Sequence, residues 1–154
     1  MLAGIISDTH GLLRGEALTA LSGCDLILHA GDIGHPEILD RLRAIAPVHA
    51  IRGNVDKGDW AADIPPTAVI QAGPAVVYML HDVNALDLDP AAAGFHMVVS
   101  GHSHQPSRSQ RDGVIYLNPG SAGPRRFRLP ISLARVDFSR QPWGVEFVTL
   151  PAPP

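Results

Sequence analysis

Seven residues of this 154-residue chain combine reactive side chains with regular placement: Asp8, His10, Asp32, Asn54, His81, His102 and His104. Each stands just after an apolar run, and the steps from Asp8 through Asp32, Asn54 and His81 to His102 are 24, 22, 27 and 21 residues. Each step is about one strand plus its connection. Residues beyond the carboxyl ends of parallel strands converge on one edge of an α/β sheet, where ligands bind. Asp8 and His10 are spaced i, i+2, which points both side chains the same way from an extended segment, and His102 and His104 repeat the device. Two carboxylates, one amide and four imidazoles make an oxygen–nitrogen donor set without thiolate, suited to Mn²⁺, Fe or Zn²⁺. Seven donors overfill one tetrahedral ion but serve two ions if one carboxylate bridges. Two divalent ions facing two carboxylates leave a cationic hole that favours a phosphate. Such a pair also activates water for in-line attack on phosphorus.

The elements that must position these residues can be read along the chain. Leu2 to Ser7, Cys24 to His29 and Val48 to Ile51 read as buried strands, each closing on polar residues. Between them, Glu16 to Leu21 is helical in composition with Gly23 as its stop. Pro36 to Ile45 carries Ile38, Leu39, Leu42 and Ile45 as one apolar stripe behind a first-turn proline. That is the βαβ pattern of a parallel sheet. Past Pro65-Pro66 the pattern becomes β-rich. Thr67 to Gln71 and Ala75 to Leu80 flank a turn at Ala72-Gly73-Pro74, and Phe95 to Ser100 leads to His102. Gln105 to Gln110 and Val114 to Leu117 flank Asp112-Gly113, a second hairpin signal. Ile131 to Phe138 alternates with a period near two, Val145 to Leu150 is the last strand, and Pro151 to Pro154 reads as a frayed tail. Neither half is long enough to bury a core alone, so residues 1–154 are expected to form one domain of two packed sheets.

Composition narrows the function classes. With 45% hydrophobic and 18% charged residues, the chain can bury a core, which excludes disorder as its default state. A net charge of −3 lacks the basic footprint of a nucleic-acid binder and offers no polybasic membrane anchor. Cys24 is the single cysteine, which excludes a disulfide framework and an all-cysteine zinc site and points to the cytoplasm. The opening Met1 to Asp8 lacks the cationic region of a signal peptide, and no run approaches the ~20 apolar residues of a membrane span.

Asp8-x-His10, Gly31-Asp32, Gly53-Asn54, His81 and Gly101-His102-x-His104, in this order, resemble the signature of the calcineurin-like metallophosphoesterases. Asn118-Pro119-Gly120-Ser121 and the short length resemble the small YfcE-like phosphodiesterase branch, which also contains a retromer subunit that keeps the fold as a protein-binding scaffold. Any one motif is common, whereas five in order at strand ends are specific. The resemblance spans about residues 2 to 138 and implies a four-layer α/β/β/α sandwich of two mainly mixed sheets flanked by helices. It further implies that Asp8, His10 and His104 hold one ion, that Asp32 bridges, and that Asn54, His81 and His102 hold the second. Asp32, Asn54 and His102 are then also the catalytic groups, and Mn²⁺ is the expected metal, with Fe, Zn²⁺ or Ni²⁺ as alternatives. Two positions depart from the pattern. Val55 stands where many members carry a proton-donating His after Gly-Asn, although small members of the branch often lack it. Asp82-Val83 follows His81 where members often read Gly-His.

Several of these residues also have plainer readings. Asp8 and Asp32, taken singly, suit helix N-caps, and Asn54 suits a left-handed turn after Gly53. His81 could be a surface residue. His29 is either solvated or bonded to a metal ligand from behind, and His35, His49 and His96 have no partner at ligand spacing. Asp56 and Asp82 read as solvated loop charges or as groups supporting the ligands, Leu12, Leu13 and Ala91 to Ala93 read as packing residues, and Cys24 as inert core. Arg125 and Arg126 are the candidate phosphate clamp, in a basic stretch with Arg128 that also suits a solvated surface. The expected activity is two-metal hydrolysis of a small phosphodiester. The competing expectation is a non-catalytic scaffold, which should have lost ligand positions. No membrane or nucleic-acid partner is expected, and a homo-oligomer is compatible with the sequence.

Overall fold

The computed structural model describes residues 1–152, so Pro153 and Pro154 of the expected tail lie outside the described residues. The strand and helix order is β1 (Leu2–Ile6), α1 (Gly15–Leu21), β2 (Leu26–His29), α2 (Pro36–Arg43), β3 (Val48–Ala50), β4 (Thr67–Ala72), β5 (Ala75–Leu80), β6 (Met97–Val99), β7 (Ser107–Arg111), β8 (Val114–Asn118), β9 (Ile131–Asp137) and β10 (Gly144–Leu150). Two five-stranded mixed sheets result, ordered β10-β9-β1-β2-β3 and β4-β5-β6-β8-β7. In the first sheet β1, β2 and β3 run parallel and β9 and β10 antiparallel. In the second, β5, β6 and β8 run parallel, with hairpins β4–β5 and β7–β8 at the edges.

The strands are short because each must satisfy two faces. In β1, Ile5 packs between the sheets with Leu28, Val77, Met79 and Val99, while Ile6 packs outward with Leu21, Ile27 and Leu42 under the two helices. β9 divides likewise, with Ala134 and Val136 between the sheets and Ile131 and Leu133 under the helices, so its period of two reads two buried faces. The α2 stripe is buried as Ile38, Leu39 and Leu42, with the His35 ring accepting the Glu37 N–H at the cap and Arg41 and Arg43 in the last turn. The helix stops two residues before the expected Ile45, which lies in the turn that follows. The fourth layer is thin: Leu86 and Phe95, in and beside the segment after a 3₁₀ turn at Val83–Ala85, cover Tyr78, Leu80 and Val98. Two packing assignments are corrected here. Ala91 to Ala93 form an exposed turn, capped by the Asp89 carboxylate, and Leu12 is exposed while Leu13 is buried.

Candidate metal centre

The carboxyl ends of β1, β2, β3, β5 and β6 meet, because the loops that follow them bond to one another. The Asp8 N–H donates to the Gly31 carbonyl, the His10 N–H to the Asp32 carbonyl and the Gly101 N–H to the His81 carbonyl. Gly31 is required at its place: its φ is +97°, and a Cβ would lie 2.8 Å from both the Gly53 amide nitrogen and His81 Nδ1. A Cβ on Gly53 would collide with the Asp32 carboxylate. The two Gly-polar pairs in the sequence therefore mark where the β2 and β3 loops touch.

The expected extended backbone at the paired motifs is corrected by the structure. Asp8, His10, Asp32, His102 and His104 all have positive φ, between 47° and 72°, in the left-handed region. The i, i+2 pairs still converge, but from tight turns, at the local cost that left-handed non-glycine residues carry.

Two clusters of ligand-type atoms form, Asp8 with His10 and His104, and Asp32 with His81 and His102, each set lying within 4.8 Å of one another. Asp8 Oδ1 is 3.4 Å from His104 Nε2, 3.7 Å from His10 Nε2 and 3.8 Å from His81 Nε2. Asp32 Oδ2 is 3.1 Å from His81 Nε2 and 3.6 Å from His10 Nε2, so this oxygen faces both clusters. Asn54 is exposed and stands between Gly53, against the Asp32 carboxylate, and Val55, whose N–H donates to Asp32 Oδ1 at 3.1 Å. The chain thus places Asn54 beside the second cluster.

Each carboxylate divides its oxygens between protein and centre. Asp8 Oδ2 accepts from the Ser7 hydroxyl at 2.7 Å and the His102 N–H at 3.1 Å, which leaves Oδ1 for the centre. Asp32 gives Oδ1 to Val55 and keeps Oδ2. His81 follows the same rule: Nδ1–H donates to the Ala30 carbonyl at 2.7 Å, leaving the Nε2 lone pair free. Asp8 Oδ1, His10 Nε2, His81 Nε2 and His104 Nδ1 are buried without a hydrogen-bond partner. A buried polar atom left unpaired costs about 1–3 kcal/mol. Three of them, Asp8 Oδ1, His10 Nε2 and His81 Nε2, also face one another across the two adjoining clusters, which fits a site built for cations.

The titration behaviour of the centre follows from carboxylates and imidazoles packed together. Burial works against the Asp32 carboxylate, but the His81 ring, the Val55 N–H and His10 outweigh it and hold its pKa well below the usual range. The Asp8 carboxylate raises the pKa of His10. For His81, burial lowers the pKa, but Asp32, the Ala30 carbonyl and Asp8 produce a net rise. Burial prevails at His104 and lowers its pKa.

The residues behind the two clusters have defined partners as well. His29 is fully buried: its Nδ1 accepts the Gly31 N–H at 3.2 Å, so Nε2–H donates to the Thr9 hydroxyl, which donates to the Ile33 carbonyl at 2.8 Å. Burial pushes the His29 pKa down to about 4 and keeps the ring neutral. The expected bond to a metal ligand itself is corrected: His29 bonds the loops of Asp8 and Asp32, not the side chains of the two clusters. Asp56 is buried and accepts from the N–H groups of Ile33, Gly34 and Gly53, at 3.1, 2.9 and 2.8 Å, which ties the Asp32 loop to the Asn54 loop. Asp82 caps the 3₁₀ turn and lies 3.9 Å from His102 Nε2. Sequence reasoning missed the work of Asn118 and Ser121. The Asn118 amide donates to the Gly101 carbonyl and Ser103 hydroxyl, and Ser121 donates to the Asp8 carbonyl. Arg126 and Arg125 part company. The charge of Arg126 reaches His10 and His104, whereas Arg125 Nε donates to Leu129 O within its own loop.

The family model of the calcineurin-like phosphoesterase superfamily domain matches residues 1–141. A probable metallophosphoesterase of Methanothermobacter thermautotrophicus is 32% identical over 150 residues, covering 89% of this chain and 87% of the relative. The structure of YfcE, a phosphoesterase from E. coli, superposes with a TM-score of 0.68 at 24% identity, covering 90% of this chain and 89% of that one. Vps29 from Entamoeba histolytica, solved in complex with Zn²⁺, superposes with a TM-score of 0.75 at 23% identity, covering 97% and 99%.

Proposed function

Because the chain belongs to the calcineurin-like phosphoesterase superfamily, whose members bind divalent metals, we propose that it is a two-metal phosphodiesterase that hydrolyses a small phosphodiester in the cytoplasm. The observation that carries this reading is the set of buried, unpaired atoms Asp8 Oδ1, His10 Nε2 and His81 Nε2, which face one another across the two clusters. In this reading Asp8, His10 and His104 would hold one ion, Asn54, His81 and His102 would hold the other, and Asp32, whose Oδ2 faces both clusters, would be shared between them. Bound there, divalent ions supply positive charge against the phosphoryl oxygens and water acidified to near neutral pH. Mn²⁺ suits this oxygen–nitrogen set, and the single buried cysteine, unpaired, agrees with a reducing compartment.

The protein's own groups supply orientation and selectivity. The charge of Arg126 is felt at His10 and His104, and a guanidinium suits a non-bridging phosphoryl oxygen. Val55 places an exposed alkyl group beside Asp32, so that position donates no proton to a leaving group. Hydrolysis breaks the bond from phosphorus to one alcohol oxygen and makes one to the oxygen of water, releasing a monoester and an alcohol. A diester carries one charge fewer than a monoester and is the better substrate for a site without that imidazole. The test is hydrolysis of bis(4-nitrophenyl) phosphate by metal-stripped protein reloaded with Mn²⁺, Zn²⁺, Mg²⁺, Fe²⁺ or Ni²⁺. Activity restored by at least one ion, with diester preferred over 4-nitrophenyl phosphate, is expected. No turnover with any ion sinks the reading and favours a scaffold, the reading that the fold shared with Vps29 keeps in view.

A further inference from the structure

A pocket of about 200 Å³ opens directly beside His102 and runs along one face of the β7–β8 hairpin. Its wall follows from strand periodicity. Ser107, Ser109 and Arg111 are at alternate positions of β7, and Tyr116 is opposite Ser109 on β8. The neighbours on the other face of β8, Ile115 and Leu117, are buried in the main core. The Arg111 guanidinium carbon lies 4.4 Å from the centre of the Tyr116 ring, which holds the long side chain over the pocket. Among the described residues Arg111 forms no salt bridge. Asp82 lines the opposite end, next to His102. The pocket therefore offers a carboxylate beside the metal centre, serine hydroxyls along its length and a free cation at its outer end.

We propose that this pocket binds one of the substrate's two alcohol groups, and that the preferred group is a hydroxylated alcohol bearing a second anion, carboxylate or phosphate, which Arg111 receives. The inference rests on the phosphodiesterase reading for the site beside it. Asp82 accepts an alcohol hydroxyl at the end next to His102, which leaves the distal anion to the Arg111 end. Ser107 and Ser109 bond further hydroxyls, and the Arg111 fork on Tyr116 meets the distal oxyanion. A purely alkyl or aryl group would leave these donors unpaired.

The test uses the metal-loaded protein, with 3-phosphoglycerate and methyl phosphate as calorimetric probes, in the native chain, Arg111→Gln and Ser109→Leu. Both variants sit on an exposed edge strand, so the fold is preserved. The native protein should bind 3-phosphoglycerate at least about tenfold more tightly than methyl phosphate, and each variant should lose most of that advantage without changing methyl phosphate. Glycerol 1,3-bisphosphate, run in parallel, tells a phosphate-bearing group from a carboxylate-bearing one by which binds more tightly. If the native protein does not favour 3-phosphoglycerate over methyl phosphate, or the variants weaken both alike, the pocket is no substrate subsite. Turnover is scored separately with the 4-nitrophenyl diesters of methanol and glyceric acid. Binding discrimination without turnover of either diester would overturn the phosphodiesterase reading while leaving the pocket's ligand class intact.

Discussion

Asp56 should matter more than any exposed loop acid, and its removal tests how the centre is held. Its carboxylate accepts three backbone N–H groups, from Ile33, Gly34 and Gly53, and the side chain is buried. In Asp56→Ala none of these donors keeps its partner. Taking about 1.5 kcal/mol, the low end for a bond to a charged group, for each of the three, the metal-free protein should lose about 4.5 kcal/mol. For a chain of this size that is a fall in Tm of roughly 9–18 °C. Asp56→Asn keeps an acceptor oxygen but turns an NH₂ toward at least one N–H, so its Tm should lie between the two. The loops released carry Asp32 and Asn54, so affinity for the ion held with Asn54, His81 and His102 should fall roughly 10–100-fold, as for other partners of metal ligands. The assays are thermal melts of stripped protein and metal titration of the refolded variants. A fall below about 2 °C with unchanged metal affinity would refute the argument that Asp56 joins the two loops.

The other expectations follow from the same site. Asp32→Asn should cost both ions and nearly all activity, whereas His102→Ala and His104→Ala should each weaken one ion preferentially; two tightly held ions in Asp32→Asn, by metal analysis, would dismiss the bridge. Arg126→Ala should raise KM with metal content unchanged and Arg125→Ala should do little, in keeping with Arg125's bond to Leu129; a silent Arg126→Ala would remove the clamp. His29 has a pKa near 4 when folded against an ordinary 6.5, so its share of stability is complete above about pH 6.5 and is lost as the pH falls toward 4, about 3 kcal/mol in all. Urea unfolding of stripped native protein should therefore fall more steeply over that window than that of His29→Asn, and parallel slopes would show that His29 is not held neutral. Val55→His should gain most on diesters of high-pKa alcohols, because general acid catalysis contributes ~10²–10⁴-fold where the native chain has no donor; a flat leaving-group dependence in the native protein would mean another group already gives the proton.

The parts of the site that depend on strand ends were legible, and those that depend on loop conformation were not. Apolar runs closing on Asp8, Asp32, Asn54, His81 and His102 announced the convergence because a strand's carboxyl end lies at a predictable distance along the chain. The left-handed turns at Asp8, His10, Asp32, His102 and His104 could not be read, since none of these residues needs positive φ in isolation and tertiary bonds impose it. Asp56 and His29 were ambiguous for a similar reason. Their partners are backbone groups, Gly31 and Gly53 among them, and every residue but proline carries such a donor. Ala91 to Ala93 misled because a run of alanines has helical propensity wherever it falls, while the flanking Asp89, Pro90 and Gly94 turned it into an exposed turn.

The centre shows why its strain is tolerated. Five left-handed residues and four unpaired buried atoms sit within one group of loops, and each carries a local cost of about 1–3 kcal/mol. Those loops are not loose, because each acid and the innermost imidazole spends one polar atom on the protein and turns the other inward. Asp8 is fixed through Ser7 and His102, Asp32 through Val55, and His81 through Ala30. The anchoring bonds decide which atom is left over, so the donor atoms are oriented before any ion arrives. An ion entering such a site need not order its ligands and relieves atoms that would otherwise stay unpaired, and both effects go directly into affinity. The same bonds explain why the glycines flank the acids. Gly31 and Gly53 let two loops approach until the Asp32 carboxylate has only one open direction, toward His81 and His10.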